Sequence, residues 1–132
     1  ELVSNAIEES LRYDPPVLGL CKTNNEPVVY HDVEIPQDSK VMVLYASANR
    51  DADVFDSPDK FMVERPLIET KRHLSFGWGS HFCLGAHLAR QTGRIALSVL
   101  LERFDQLHLV EPTERVVPPF LWGRRALTVA WQ

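Results

Sequence analysis

The sequence predicts a mainly α-helical chain with small β-sheets, an α+β class, on three observations. Residues 1–13 and 86–104 carry apolar positions at helical spacing. Short β-branched or aromatic runs, each bounded by turn residues, allow only narrow sheets. Residues 49–73 hold prolines and many charges without a sustained period, which reads as an irregular meander. At 132 residues the chain is one domain's worth, with enough material for a modest core. No repeat, low-complexity tract or linker divides residues 1–132 into separate domains.

The first helix is expected from about Glu1 to Tyr13, because Leu2, Val3, Ala6, Ile7 and Leu11 share one face. Pro15-Pro16 stops it, since proline offers no amide hydrogen to a helix interior. Val28 to Tyr30, Val33 to Ile35 and Val41 to Tyr45 follow as short strands. After the meander and a glycine-rich loop, a long helix is expected from about Ala86 to Phe104. Leu88, Thr92, Ile95, Ala96 and Val99 form its apolar stripe, with His87, Arg90 and Arg94 opposite. Leu107 to Val110 and Leu127 to Trp131 read as closing strands around a loop at Pro118-Pro119.

Composition narrows the function classes. Hydrophobic content of 45% and charged content of 24% are ordinary globular values, which argues against disorder. A net charge of −4 is too small to favour nucleic acid or a membrane surface as partner. No signal-peptide pattern or bilayer-length apolar run is visible. Two distant cysteines, Cys21 and Cys83, make no disulfide framework, so a reducing, cytoplasmic setting is expected.

The chemistry concentrates in Phe76 to Gly85, which read Phe-Gly-Trp-Gly-Ser-His-Phe-Cys-Leu-Gly. Gly77 and Gly79 let the chain turn tightly and pass close to a flat partner, because neither carries a Cβ. Cys83 stands where the loop gives way to the long helix. There, free helix amides and the dipole favour its thiolate. Such a loop suits one axial ligand of a haem iron. Two other readings stay open: a buried small hydrophobe, and a nucleophile assisted by His81. Zinc lacks its usual ligand spacing, the glycines miss the dinucleotide-loop spacing, and no Cys-x-x-Cys-His motif supports covalent haem attachment.

This decapeptide resembles the haem-binding signature of the cytochrome P-450 family of haem-thiolate monooxygenases. Its phenylalanine, both loop glycines, histidine, cysteine and final glycine all stand in register. Three further segments resemble the same family in the expected order. Glu9-Ser10-Leu11-Arg12 matches its Glu-x-x-Arg helix, and Ala48-Asn49-Arg50-Asp51 a segment of the soluble bacterial members. Phe55 through Pro58, Phe61 and Arg65 match the stretch before the loop. The resemblance runs from about Glu1 to Trp131 and implies the C-terminal, haem-binding third of one catalytic domain. It also implies that the helices over the distal haem face, with their proton-delivering acid–alcohol pair, are not among these residues.

The resemblance implies roles residue by residue. Cys83 would be the proximal ligand of haem b, pushing electron density toward iron to favour O–O cleavage. Gly77 and Gly85 shape the loop, and Phe76 would shield the sulfur from water. His81 would contact a propionate, unless it is simply a solvated loop histidine. Lys22 falls where the family usually has a second, arginine partner; it keeps the charge but not the bidentate fork. Trp78 stands where many members carry histidine. Glu9, Arg12 and Arg65 would form a structural triad; read from the helix alone, Glu9 and Arg12 are an ordinary surface pair.

Lys71, Arg72, His87, Arg90 and Arg94 form either a solvated face or a docking patch for an acidic, ferredoxin-type electron donor. Val17, Leu18, Phe120 and Leu121 match segments bordering the substrate pocket, with core packing as the other reading. The implied reaction hydroxylates an apolar small molecule with O2 and electrons from the donor. These residues alone are expected to be inactive, and to self-associate through apolar surface left uncovered. A non-catalytic remnant that binds haem or a protein partner is the alternative, and a cysteine-nucleophile enzyme ranks last.

Overall fold

The computed structural model describes residues 2–116 and 120–132. Helix α1 spans Leu2–Tyr13 and packs along α4, Ala86–Arg103. Between them lie β1 (Leu20–Thr23), β2 (Val28–Tyr30), β3 (Val33–Ile35) and β4 (Lys40–Val43). Two single-turn helices follow, α2 (Tyr45–Ala48) and α3 (Leu67–Thr70), and then a 3-10 turn at Gly79–His81. After α4 come β5 (His108–Leu109), β6 (Arg115–Val116), β7 (Gly123–Arg124) and β8 (Val129–Ala130).

All the described sheets are two-stranded and antiparallel: β1 with β4, β2 with β3, β5 with β8, β6 with β7. Leu20 faces Val43 and Lys22 faces Val41 in the first of them. Three strands expected from the sequence are present with shifted ends. The run that starts at Val41 is a strand over Lys40–Val43, because Leu44 turns the chain into α2 at Tyr45. The two closing runs shrink to pairs of residues. Strand β1 escaped the residue-by-residue reading because Leu-Cys-Lys-Thr shows little strand character; its pairing with β4 makes it one. Single-turn helices such as α2 and α3 are too short to display a period, so 49–73 looked wholly irregular. The Pro118-Pro119 loop lies outside the described residues.

The apolar stripe expected on α4 points away from the rest of the described chain. Leu88 is 68% and Ile95 56% exposed. The face turned to α1 carries Ala86, Arg90 and Gly93 instead. Periodicity identifies an apolar face but not the neighbour that will cover it. Here α1 comes so close that a Cβ on Gly93 would lie 3.2 Å from Cδ1 of Ile7. A bulky residue has no room at that crossing.

What is buried is mostly polar. Glu8, Glu9, Arg12, Asn49, Arg65, Thr70 and His73 are buried, against Pro15, Gly19, Tyr45, Phe55 and Ala86 among the other described residues. Helix α1 therefore turns its charged edge, not Leu2, into the interior. No described helix is long and apolar enough to cross a membrane.

Candidate functional site

The cysteine loop is held by its own backbone. Gly77 and Gly79 take φ of +73° and +67°, a left-handed conformation that costs residues with a Cβ and not glycine. The Gly77 amide donates to the Leu74 carbonyl at 2.8 Å, and the Phe82 amide to Gly79 at 3.0 Å. The Cys83 amide then donates to the Phe76 carbonyl at 2.8 Å, which ties the two ends of the loop together. The Ala86 amide donates to the Cys83 carbonyl at 3.2 Å, so α4 starts directly behind the thiol. Cys83 itself is exposed, and so are Phe82, Leu84 and Leu88 near it in sequence. A Cβ built on Gly79 would meet nothing within 4 Å.

Lys22 on β1 and His81 on the loop line one cleft of about 390 Å³, together with Leu20, Cys21, Thr23 and Tyr45. Two nitrogen-bearing side chains, far apart in sequence, thus share one opening in the region of the loop. An exposed thiol, exposed apolar side chains and a cleft with cationic character fit a flat apolar group that has an acidic edge. The donor set therefore fits a haem.

The triad expected from Glu9, Arg12 and Arg65 forms against the meander, and it is buried rather than a surface pair. Glu9 and Arg12 are 0% and Arg65 2% exposed. Arg12 forks onto Glu9 at 2.8 and 2.7 Å, and Arg65 Nε donates to the same carboxylate at 3.2 Å. The Met62 amide adds a fourth donor at 2.9 Å. Other guanidinium hydrogens hold the meander by its carbonyls, Arg12 reaching Asn49, Pro58 and Lys60 and Arg65 reaching Asp56, while Arg65 also donates to the Glu69 carboxylate at 2.6 Å. Burial pushes the Glu9 carboxyl up, but hydrogen bonds from Arg12 and Met62 and the two guanidinium charges outweigh it and hold it below its usual range.

Two groups escaped the sequence reading. Asn49 donates to Ser75 Oγ at 2.8 Å and accepts the Leu74 amide at 2.7 Å, joining the meander to the start of the loop. Glu8 accepts Arg90 at 2.6 and 3.1 Å and lies 3.1 Å from Nε2 of the buried His73. Adjacent acids on a helix ordinarily suggest one solvated member, and nothing in the sequence marked Glu8 as paired.

The Glu8 carboxyl is raised by burial and lowered further by hydrogen bonds from His73 and Arg90, which bring it from 4.5 to about 2. Its folded value lies below its unfolded one, so its contribution is complete above the unfolded value. That contribution is lost as the pH falls from 4.5 toward 2. The loss amounts to roughly 3 kcal/mol. Urea unfolding followed across that acid window should show stability falling, with a shallower fall in Glu8→Gln; equal slopes would contradict the assignment.

The other expected residues fall into two groups. Lys71, His87, Arg90 and Arg94 line one cleft of about 400 Å³ with Ser4, Glu8, Leu67 and Phe82. Arg72 is separate: it donates to the Val54 carbonyl at 3.3 Å and lines a different hollow with Phe55 and Trp78. Within the shared cleft, Arg90 is committed to Glu8. The four residues matched to the substrate border are brought together. Val17 bridges Leu121, and the Leu18 amide donates to Phe120 at 3.0 Å.

Comparison with known proteins places this geometry. Residues 1–126 match the family model described as Cytochrome P-450. The chain is 46% identical over 109 residues to cytochrome P-450 107B1 of Saccharopolyspora erythraea, covering 82% of this chain and 26% of that protein. It is 35% identical over 133 residues to a steroid C26-monooxygenase of Mycolicibacterium smegmatis, covering 99% of this chain and 32% of that one. The solved structure of P-450BioI in complex with a hexadec-9Z-enoic acid-ligated acyl carrier protein superposes with a TM-score of 0.93 at 34% identity, over 99% of this chain and 34% of that chain. The chain thus spans about a quarter to a third of the length of these relatives.

Proposed function

Because this chain belongs to the cytochrome P-450 family, we propose that it forms the cysteine-ligand region of a haem-dependent monooxygenase in which Cys83 binds the iron. The observation that carries this reading is the exposed Cys83, its amide bonded to Phe76 at 2.8 Å, in a loop whose His81 shares a cleft with Lys22. When bound, haem b supplies the oxygen-activating chemistry that a thiolate ligand favours.

The chain's own part is to bind and orient. Gly77 and Gly79 keep the loop backbone low enough for a flat ring to approach. Phe76 shields one side of the sulfur from water, and Gly85 lies beside it, where a Cβ would make ordinary contact with Sγ at 3.9 Å. His81 and Lys22 take the acidic edge, the lysine as a point charge without a fork. Val17, Leu18, Phe120 and Leu121 border the pocket for an apolar small molecule, which is hydroxylated with O2.

Electrons arrive from an acidic, ferredoxin-type protein docking near Lys71, His87 and Arg94, with Arg72 outside that cleft and Arg90 held by Glu8. The proposed setting is the cytoplasm, in keeping with two free cysteines. The test is the carbon-monoxide difference spectrum of the reduced, haem-loaded chain beside Cys83→Ala. A thiolate-type Soret band present in the parent and absent from the variant is expected. A parent chain that takes up haem and gives no such band would overturn the reading.

A further inference from the structure

We infer that Glu8 is a positioning residue for the Cys83 ligand, acting through Arg90 and His73 on Phe76. The inference rests on the reading of Cys83 given above, but its geometry stands apart from the Glu9 triad. Both arms start from one buried carboxylate. On the first, Arg90 gives Nε and a terminal nitrogen to Glu8, which fixes the guanidinium plane. Its central carbon then lies 4.5 Å from the centroid of the Phe76 ring. A cation held over an aromatic face attracts it, and a desolvated pair attracts it more strongly.

On the second arm, His73 Nε2 lies 3.1 Å from Glu8, while Nδ1 accepts the Ser75 amide at 3.2 Å. An accepting Nδ1 leaves the proton on Nε2, so the neutral ring donates to Glu8 and orders the turn that leads into the loop. The His73 ring also stands 5.9 Å from that of Phe76. Phe76 in turn gives its carbonyl to the Cys83 amide at 2.8 Å. One carboxylate on α1 therefore sets the ring and the turn that hold the residue gripping the cysteine.

The charge of Glu8 matters as well as its shape. It neutralises Arg90, the cation pressed against the loop residue that grips Cys83. With glutamine in its place, the fork weakens and Arg90 is drawn toward the solvent of the cleft it lines with His87 and Arg94. Phe76 then loses its clamp, and the loop samples positions in which the sulfur is badly placed to ligate.

Two readouts test this, one of them independent of haem. In the chain labelled with fluorophenylalanine, the Phe76 fluorine resonance (assigned through Phe76→Leu) should shift and broaden in Glu8→Gln. It should stay put in Arg94→Gln, which lines the same cleft. In the haem-loaded chain, Glu8→Gln should lower the thiolate-ligated fraction of the carbonyl adduct several-fold relative to the parent. A parent with no thiolate band would count against the haem reading, while the fluorine spectra would still judge the clamp. A parent band with both readouts unchanged in Glu8→Gln, or moved equally by Arg94→Gln, overturns the inference. Should Glu8→Gln fail to fold, Arg90→Lys keeps the charge and gives up the planar stack, and it must move the Phe76 resonance; an unmoved resonance would be equally fatal.

Discussion

Glu9→Ala is expected to destabilise the chain by about 3–5 kcal/mol, enough to abolish the folded meander. The reason is the penalty for what remains. Arg12, 0% exposed, would keep its charge with no carboxylate against it, Arg65 would be left with Glu69 alone, and the Met62 amide would lose its acceptor. The paired state itself earns little stability, since desolvating three ions cancels most of their attraction. Breaking it is what is expensive. An internal reference exists in Arg50 and Asp59, a 2.9 Å pair whose carboxylate is 82% exposed. Asp59→Ala should cost only about 0.2–1 kcal/mol. Urea unfolding of both variants followed by far-UV circular dichroism makes the comparison, and similar midpoints would refute the buried-triad argument.

Asn49→Ala should rank second, at about 2–3 kcal/mol. The side chain is fully buried, and its amide accepts the Leu74 amide and donates to the Ser75 hydroxyl. Ser75 in turn donates to the Leu11 carbonyl at 2.6 Å, so the loss is passed to α1. The Asn49 carbonyl, by contrast, still accepts Arg12 in the variant, and the triad should survive. Thermal unfolding measures the cost. Amide exchange at Leu74 locates it, and protection there unchanged from the parent would show that the hydrogen bond is dispensable.

How much of this was legible in the sequence depends on the kind of signal. The α+β class, both long helices and the strands β2 and β3 were readable, because periodicity and β-branched runs are local properties. The cysteine loop was readable from ten contiguous residues whose glycines, histidine and cysteine carry the resemblance. The burial of Glu9 and Arg12 was not, because a glutamate three residues before an arginine looks the same on a wet surface and in a dry interior. Arg65, which the resemblance and not the helix spacing joined to the pair, makes the difference through a tertiary contact. Glu8 and Arg90 were hidden for the same reason: their partnership joins two helices 82 positions apart. The exposed stripe of α4 carries the same lesson in reverse, since periodicity marks the apolar face and not what covers it.

The polar interior reaches further than pH and mutation. Heat capacity rises on unfolding because hydrocarbon meets water, while hydrating polar groups lowers it. Seven of the twelve buried residues among those described are polar or charged. The increment per residue for this chain should therefore lie below the customary value of about 12–15 cal/mol/K. A small increment flattens the curve of stability against temperature. The turn that carries Cys83 would then rest on a foundation whose stability changes little as the water around it cools.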